Sequence, residues 1–182
     1  MECAARVALW AMGPVALFFA ISACGSGSDD AGGRGNHDFR PVSDTGVLFT
    51  PEDLAAVGYK TSKEYGVDGL PGATAAIFGF WRPTGGDPID YEIRFYPSHA
   101  EAVDLGTASA EEGSGKDAVL NAERATYKEG VTDRRSVIGQ TPSGAGPKYA
   151  DYAIFNNIVM LCAGADSGQS IERCGLLALA LE

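Results

Sequence analysis

Two pairs of strand-like segments, each followed by a capped helix, constrain the fold of this chain more than any other feature. Thr74 to Trp81 (TAAIFGFW) is apolar on both faces, as an interior strand is. Ile89 to Phe95 alternates, with Ile89, Tyr91, Ile93 and Phe95 set against Asp90, Glu92 and Arg94, so one face is buried and the other meets water. The turn chemistry of Arg82 to Pro88 joins the two as an antiparallel hairpin. Ser98 and Glu101 then form an S-x-x-E capping box for a helix running to about Glu112, with Ala100, Val103, Gly106, Thr107 and Ala110 on its inner stripe. The same order returns at the end of the chain. Tyr149 to Phe155 and Ile158 to Ala163 flank Asn156-Asn157, a dipeptide that tolerates the positive φ of a two-residue type I′ turn. Asp166 or Ser167 opens a last helix with Ile171, Cys174, Ala178 and Leu181 on one face. Two ββα units predict an α+β fold, a two-layer sandwich whose mainly antiparallel sheet of about four strands carries its helices on one face.

Other segments are less regular. Thr50 is a helix N-cap, Pro51 fits the first helical position, Asp53 the third, and Gly58 the left-handed residue after the end, so a helix of about two turns lies between them, stapled by Phe49 and Leu54. Tyr59 to Gly72 reads as a loop. Asp117 to Tyr127 has the pattern of a marginal helix with Val119, Leu120 and Tyr127 inward, and Gly139 to Pro147 (GQTPSGAGP) that of a flexible loop.

The amino terminus is of another kind. Val7 to Ile21 is an apolar run without a charged residue; it follows Arg6 and is shorter than the roughly 20 residues of a bilayer span. It closes on Ile21-Ser22-Ala23-Cys24, which resembles the lipobox of bacterial type II signal peptides. That resemblance implies cleavage between Ala23 and Cys24, a diacylglyceryl group on the Cys24 sulfur, and acylation of the new amino terminus. Residues 1–23 are then the signal peptide. Cys24 to Asp44 (CGSGSDDAGGRGNHDFRPVSD) is too rich in Gly, Ser and Asp to bury an apolar face and reads as a tether, with an r.m.s. span of roughly 25 Å for a flexible coil. Residues 45–182 are left as one globular domain.

Charge and cysteines narrow the function. Glu2 and Arg6 leave together, so the mature chain keeps the formal charge of −10 of the whole, which disfavours nucleic acid and anionic lipid surfaces. Arg134-Arg135 is a local exception, read as solvated surface, or else as a pair engaging acidic neighbours or an anionic ligand. Cys3 departs with the signal peptide and Cys24 takes the lipid. Cys162 and Cys174 remain in an oxidising compartment and are expected to form a disulfide. The rival, a metal or redox pair, has neither a CxxC spacing nor a nearby histidine.

Catalytic signatures are weak. The domain's single histidine, His99, sits in the first turn of a helix, and no G-x-S-x-G elbow follows a strand. Asp87, Asp90 and Glu92 lack EF-hand spacing, and Asp90 and Glu92 share a strand face as a solvated row does. Gly115-Lys116 lacks the Ser/Thr and preceding strand of a phosphate loop. No cofactor or metal is therefore expected. Surface remains. A sheet covered on one side exposes aromatics on the other, and Trp81, Tyr91, Tyr149 and Tyr152 are the candidate binding surface unless the short N-terminal helix and the Tyr59 to Leu70 segment cover them as core.

The stretch PKYADYAIFNNIVMLCAG and the cysteine-bearing helix after it, Pro147 to Glu182, resemble the carboxy-terminal half of uncharacterised bacterial envelope lipoproteins. The resemblance implies an accessory protein of unknown function. The expectation is an extracytoplasmic, lipid-anchored domain that binds an envelope protein, a glycan or a small ligand, with a hydrolase or a structural spacer as alternatives.

Overall fold

The computed structural model describes residues 39–136 and 146–182. Its centre is one open sheet of six strands: β1 (Val42–Ser43), β2 (Lys60–Tyr65), β3 (Ala75–Trp81), β4 (Ile89–Phe95), β5 (Tyr149–Phe155) and β6 (Ile158–Ala163). They lie in the order β1-β5-β6-β4-β3-β2. Every pairing is antiparallel except that of β1 with β5. The helices are α1 (Pro51–Ala56), α2 (His99–Gly113) and α3 (Ser167–Leu181). Both ββα units form, β3-β4-α2 and β5-β6-α3. The sheet is larger than the four strands expected.

The two extra strands escaped the sequence reading because each is paired without being buried. β2 (KTSKEY) buries only Tyr65; its pairing with β3 rests on backbone hydrogen bonds, which leave no apolar alternation to read. β1 is two residues long and comes from the stretch read as tether. Ile154 donates its N–H to the Pro41 carbonyl at 2.7 Å and Asn156 donates to Ser43 at 2.9 Å, so the folded part begins before Thr45.

The expected two layers are three. Along β4 and β6, alternate residues enter different cores. Tyr91, Ile93, Met160 and Cys162 pack with Leu54 of α1 and Cys174, Leu177 and Ala178 of α3. Val159 and Leu161 pack with Ala102 and Ala110 of α2. Helices therefore cover both faces of the sheet rather than one, and the face under α2 continues beneath the irregular segment 114–136.

The helix starts follow their sequence signals. Thr50 N–H donates to Asp53 Oδ2 at 2.8 Å, Ser98 Oγ accepts from Glu101 N–H at 3.2 Å, and Asp166 Oδ1 accepts from Gln169 N–H at 2.9 Å. Gly58 has φ +90° just beyond α1. The α2 stripe is shifted: Ala102, Gly106, Ala110 and Gly113 are the buried residues, and Ala100 is exposed. A Cβ on Gly106 would come within 2.8 Å of Val159 Cγ2 and one on Gly113 within 2.8 Å of Leu161 Cδ2. Backbone proximity to the sheet, not side-chain bulk, decides which face of this helix turns inward. In α3 the buried set is Ser170, Cys174, Leu177 and Ala178, with Ile171 and Leu181 half-buried.

Asp117 to Tyr127 forms turns rather than the expected helix. Its backbone is claimed by side chains from outside. The Glu112 carboxylate accepts from Thr126 N–H at 2.9 Å and Tyr127 N–H at 3.1 Å, and the Arg135 guanidinium donates to the Leu120 carbonyl. Such bonds replace the i to i−4 ladder a helix would need. Tyr127 is buried all the same.

Candidate functional site

The largest concentration of charge in the domain lies under the 114–136 segment. Glu92 and Arg94, two apart on β4, point to the same face, and both have 0 % exposure. Glu92 Oε1 accepts from Arg94 Nε at 2.9 Å and Nη2 at 2.8 Å. Arg134 reaches the same carboxylate from the loop, donating from Nε to Oε2 at 2.8 Å and from Nη2 to Oε1 at 3.0 Å. Its remaining donors close the loop on itself, at the Tyr127 carbonyl (3.2 Å) and the Glu129 carbonyl (2.8 Å). Arg94 also donates to Ser109 Oγ on α2 at 2.9 Å. The Tyr127 ring stacks against both guanidinium groups, with its centroid 5.3 Å from Arg94 and 4.9 Å from Arg134.

Burial acts to raise the Glu92 carboxyl, but the charges and hydrogen bonds of Arg94 and Arg134 outweigh it and hold the group below the usual carboxylate range. The solvated row expected on β4 is thus wrong for Glu92 and Arg94. Arg134 is not solvated surface either, because Glu92 draws it inward, while Arg135 stays exposed. Asp90, farther along β4, pairs with Lys148 at 2.7 Å. Of the carboxylates considered for calcium, Asp90 and Glu92 are therefore taken by separate cationic partners. Among the described residues no group of three or more His, Cys, Asp or Glu side chains is gathered to hold a metal.

A second buried polar centre is the β5–β6 turn. Asn156 has φ +52°, and it alone of the two asparagines has positive φ, so the pair does not make the type I′ turn expected of it. The side chains explain why. Asn156 Oδ1 accepts from Thr45 N–H at 2.6 Å; Asn157 Oδ1 accepts from Phe49 N–H at 2.7 Å, and its Nδ2 donates to the Phe49 and Tyr96 carbonyls at 3.0 and 2.9 Å. The turn is a clamp on the segment entering α1. His99 Nδ1 lies 2.7 Å from the Asn156 carbonyl, which engages that ring nitrogen structurally.

The four aromatics proposed as a binding surface do not form one. Trp81 is buried and donates from Nε1 to the Val57 carbonyl at 3.0 Å. Tyr91 is buried on the same face, its hydroxyl donating to the Arg173 carbonyl at 3.0 Å. Tyr149 and Tyr152 belong to the opposite face, the first buried and the second half-buried. The four are thus divided between two covered faces, while Phe80 on β3 is 41 % exposed. The Tyr149 hydroxyl is enclosed without a hydrogen-bond partner among the described residues.

Charge and local irregularity blunt the sheet edges as well. On β5 the Tyr152 N–H is taken by the Asp151 carboxylate at 2.8 Å, and the Ile154 and Asn156 N–H groups by β1. On β2, Lys60 and Lys63 and an irregular register between Thr61 and Lys63 blunt the other edge.

The described surface has openings near both ends of α3. A cleft of about 550 Å³ lies between Gly115-Lys116, Pro147, Ala150 and the entrance to α3 at Ala165 to Ser167. A groove of about 300 Å³ runs between the N-terminal segment, at Phe39, Arg40, Ser43 and Thr45, and α3, at Gly175, Ala178, Leu179 and Glu182. His99 lines neither. The Gly139 to Pro147 loop falls largely outside the described residues, which include only its last two positions. Cys24 and residues 1–23, expected to be a signal peptide, lie outside them too. No described helix is long and apolar enough to cross a membrane.

Cys162 and Cys174 are joined by a disulfide with Cα atoms 5.7 Å apart, both residues fully buried. The bond ties α3 to β6 within one core. None of the tightly bonded polar groups, Glu92, Arg134, Asn156 and Asn157, was singled out from sequence as a structural centre. A carboxylate and an arginine two apart on a strand, an asparagine pair in a turn, and an arginine pair in a loop were the traces they left, and of the alternatives read for Arg134 it is the acidic neighbour, Glu92, that the fold supplies.

Fold and site define a disulfide-bonded α+β domain whose buried charged groups, Glu92, Arg94 and Arg134, are committed to internal structure. Residues 50–182 match the model of a family of unknown function, DUF6810, and the chain belongs to that family. No curated protein and no solved structure matches it.

Proposed function

We propose that this chain is an extracytoplasmic lipoprotein, anchored through Cys24 to a membrane, whose domain binds a small ligand or an envelope partner and carries out no catalysis of its own. The apolar run Val7 to Ile21 closing on Ser22-Ala23-Cys24 carries the location. The disulfide between Cys162 and Cys174 supports it, since such bonds persist in oxidising compartments. Binding rather than catalysis is favoured by how the polar groups are spent. The Glu92 cluster is sealed and internally satisfied, and the cleft at Lys116, Pro147, Ala150 and Ser167, larger than the groove beside Phe39, brings no histidine to a hydroxyl or carboxylate.

Fractionation of cells expressing the Cys24→Ala variant tests the anchor: the parent is expected with the membranes and the variant, once its leader is removed, in the soluble fraction. A processed variant that stays membrane-bound refutes the anchor. A thermal-shift screen with short peptides and glycans tests the cleft, with Ala150→Trp to fill it. Ligands that shift the parent but not the filled variant support the reading. Esterase or glycosidase turnover that disappears in His99→Ala favours the hydrolase instead.

A further inference from the structure

Large apolar side chains exposed on the described surface are few, and two of them, Leu176 and Leu179 at 38 % and 46 % exposure, stand one turn apart on the outer side of α3. Leu179 borders the groove whose floor is Phe155, Gly175 and Ala178 and whose far wall is Phe39. Gly175 admits that wall: a Cβ there would lie 3.0 Å from Phe39 Cβ. Phe39, 15 positions after Cys24 in the sequence, is the described residue nearest the expected anchor. It is held in place by its contact with Phe155, ring centroids 6.4 Å apart, by β1, and by the asparagine clamp at Thr45 and Phe49.

We propose that the face made by Leu176, Leu179 and the groove beside Phe39 lies against the lipid bilayer to which the chain is anchored. The proposal rests on the lipid anchor at Cys24. Only 15 positions separate that cysteine from Phe39, a reach of at most about 50 Å for any chain conformation, so the face that carries Phe39 is the one held nearest the membrane. Anchoring makes the contact intramolecular, with an effective concentration on the order of millimolar, and an apolar patch too weak to bind free lipid is then sufficient. The groove carries Arg40 against the side chain of Glu182, and Glu172, one turn before Leu176, is exposed, so the face suits a neutral lipid surface rather than an anionic one. The contact turns α2, on the other face of the sheet, away from the membrane.

The test uses the mature lipoprotein reconstituted into phosphatidylcholine vesicles with brominated acyl chains. Tryptophan is placed by Leu179→Trp on the proposed face and by Leu105→Trp on α2, where Leu105 is 39 % exposed; buried Trp81 is a constant background. Rings seated roughly 5–10 Å into the interface are quenched, so about twofold loss of emission is expected for Leu179→Trp and little for Leu105→Trp. Leu176→Trp repeats the measurement should Leu179→Trp lower the melting temperature. Equal quenching at both helices, or none at α3 in protein that floats with the vesicles, overturns the docking, including the case in which a second copy or a partner protein covers α3. Protein that does not float and lacks diacylglyceryl mass at Cys24 overturns the anchor itself, and the docking with it.

Discussion

Arg134 and Glu92 are joined by two hydrogen bonds, 2.8 Å from Nε to Oε2 and 3.0 Å from Nη2 to Oε1, with each side chain 1 % exposed. A loop without regular structure is thereby fastened to an interior strand. The fastening needs both partners, since either alone would bury a charge.

Glu92→Gln keeps the shape of the side chain and removes the charge that faces two buried guanidinium groups. It is expected to cost about 3–5 kcal/mol of unfolding free energy, the range for breaking a buried ion pair from one side, as read by urea denaturation. Replacing Glu92, Arg94 and Arg134 together with Leu or Met is expected to cost much less. A triple variant as unstable as Glu92→Gln would show that the network itself, rather than its unpaired remainder, supplies the stability.

Acid should loosen the same region first. Burial acts to raise Glu92, Glu112 and Asp133, but all three are held low: Glu92 by Arg94 and Arg134, Glu112 by hydrogen bonds from Thr126 and Tyr127, and Asp133 by Lys63 and Tyr65. A carboxyl depressed in the folded state contributes stability that is complete above its unfolded pKa, near 4, and is lost as pH falls through its folded value. Denaturation curves are therefore expected to coincide from about pH 7 to 5 and to weaken below about pH 4. Amide exchange in 126–134 should accelerate before that of β4. Stability that rises on acidification contradicts these assignments.

Cys162→Ala with Cys174→Ala removes a cross-link between positions 12 apart, worth about 3 kcal/mol in the chain-entropy model. Because both sulfurs are held in the disulfide, which denaturant does not break, mass spectrometry of the non-reduced, denatured domain should find neither cysteine alkylated. Two free thiols in protein taken from the envelope would return the pair to a redox or metal role.

Gly79→Ala tests the approach of β2 to β3. A Cβ at Gly79 would lie 2.1 Å from the Lys60 carbonyl oxygen and 2.9 Å from Tyr59 Cε1, so the edge strand must shift. A loss of about 1–3 kcal/mol is expected, with increased amide exchange across Lys60 to Tyr65. Unchanged exchange there would mean that β2 accommodates the methyl group in place.

What could be read from the linear sequence was local. The caps at Thr50, Ser98 and Asp166, the left-handed Gly58, the alternation of β4 and the two ββα units all rest on neighbours within a few residues, where spacing and side-chain chemistry suffice. The cysteine pairing was legible because only two cysteines remained once Cys3 and Cys24 had been assigned. Tertiary structure decided the rest. Glu92 and Arg94 read as water-facing because period-two alternation distinguishes the two faces of a strand without saying what covers either. α2 and α3 went to opposite faces, burying both sets of aromatics, and the loop around Tyr127 and Arg134 closed what α2 left open. Asn156 and Asn157 likewise read as a turn, while their partners Thr45 and Phe49 lie more than 100 residues away in sequence. Such pairings have no periodicity: they exist because buried charges and amides must find partners wherever the folded chain brings them.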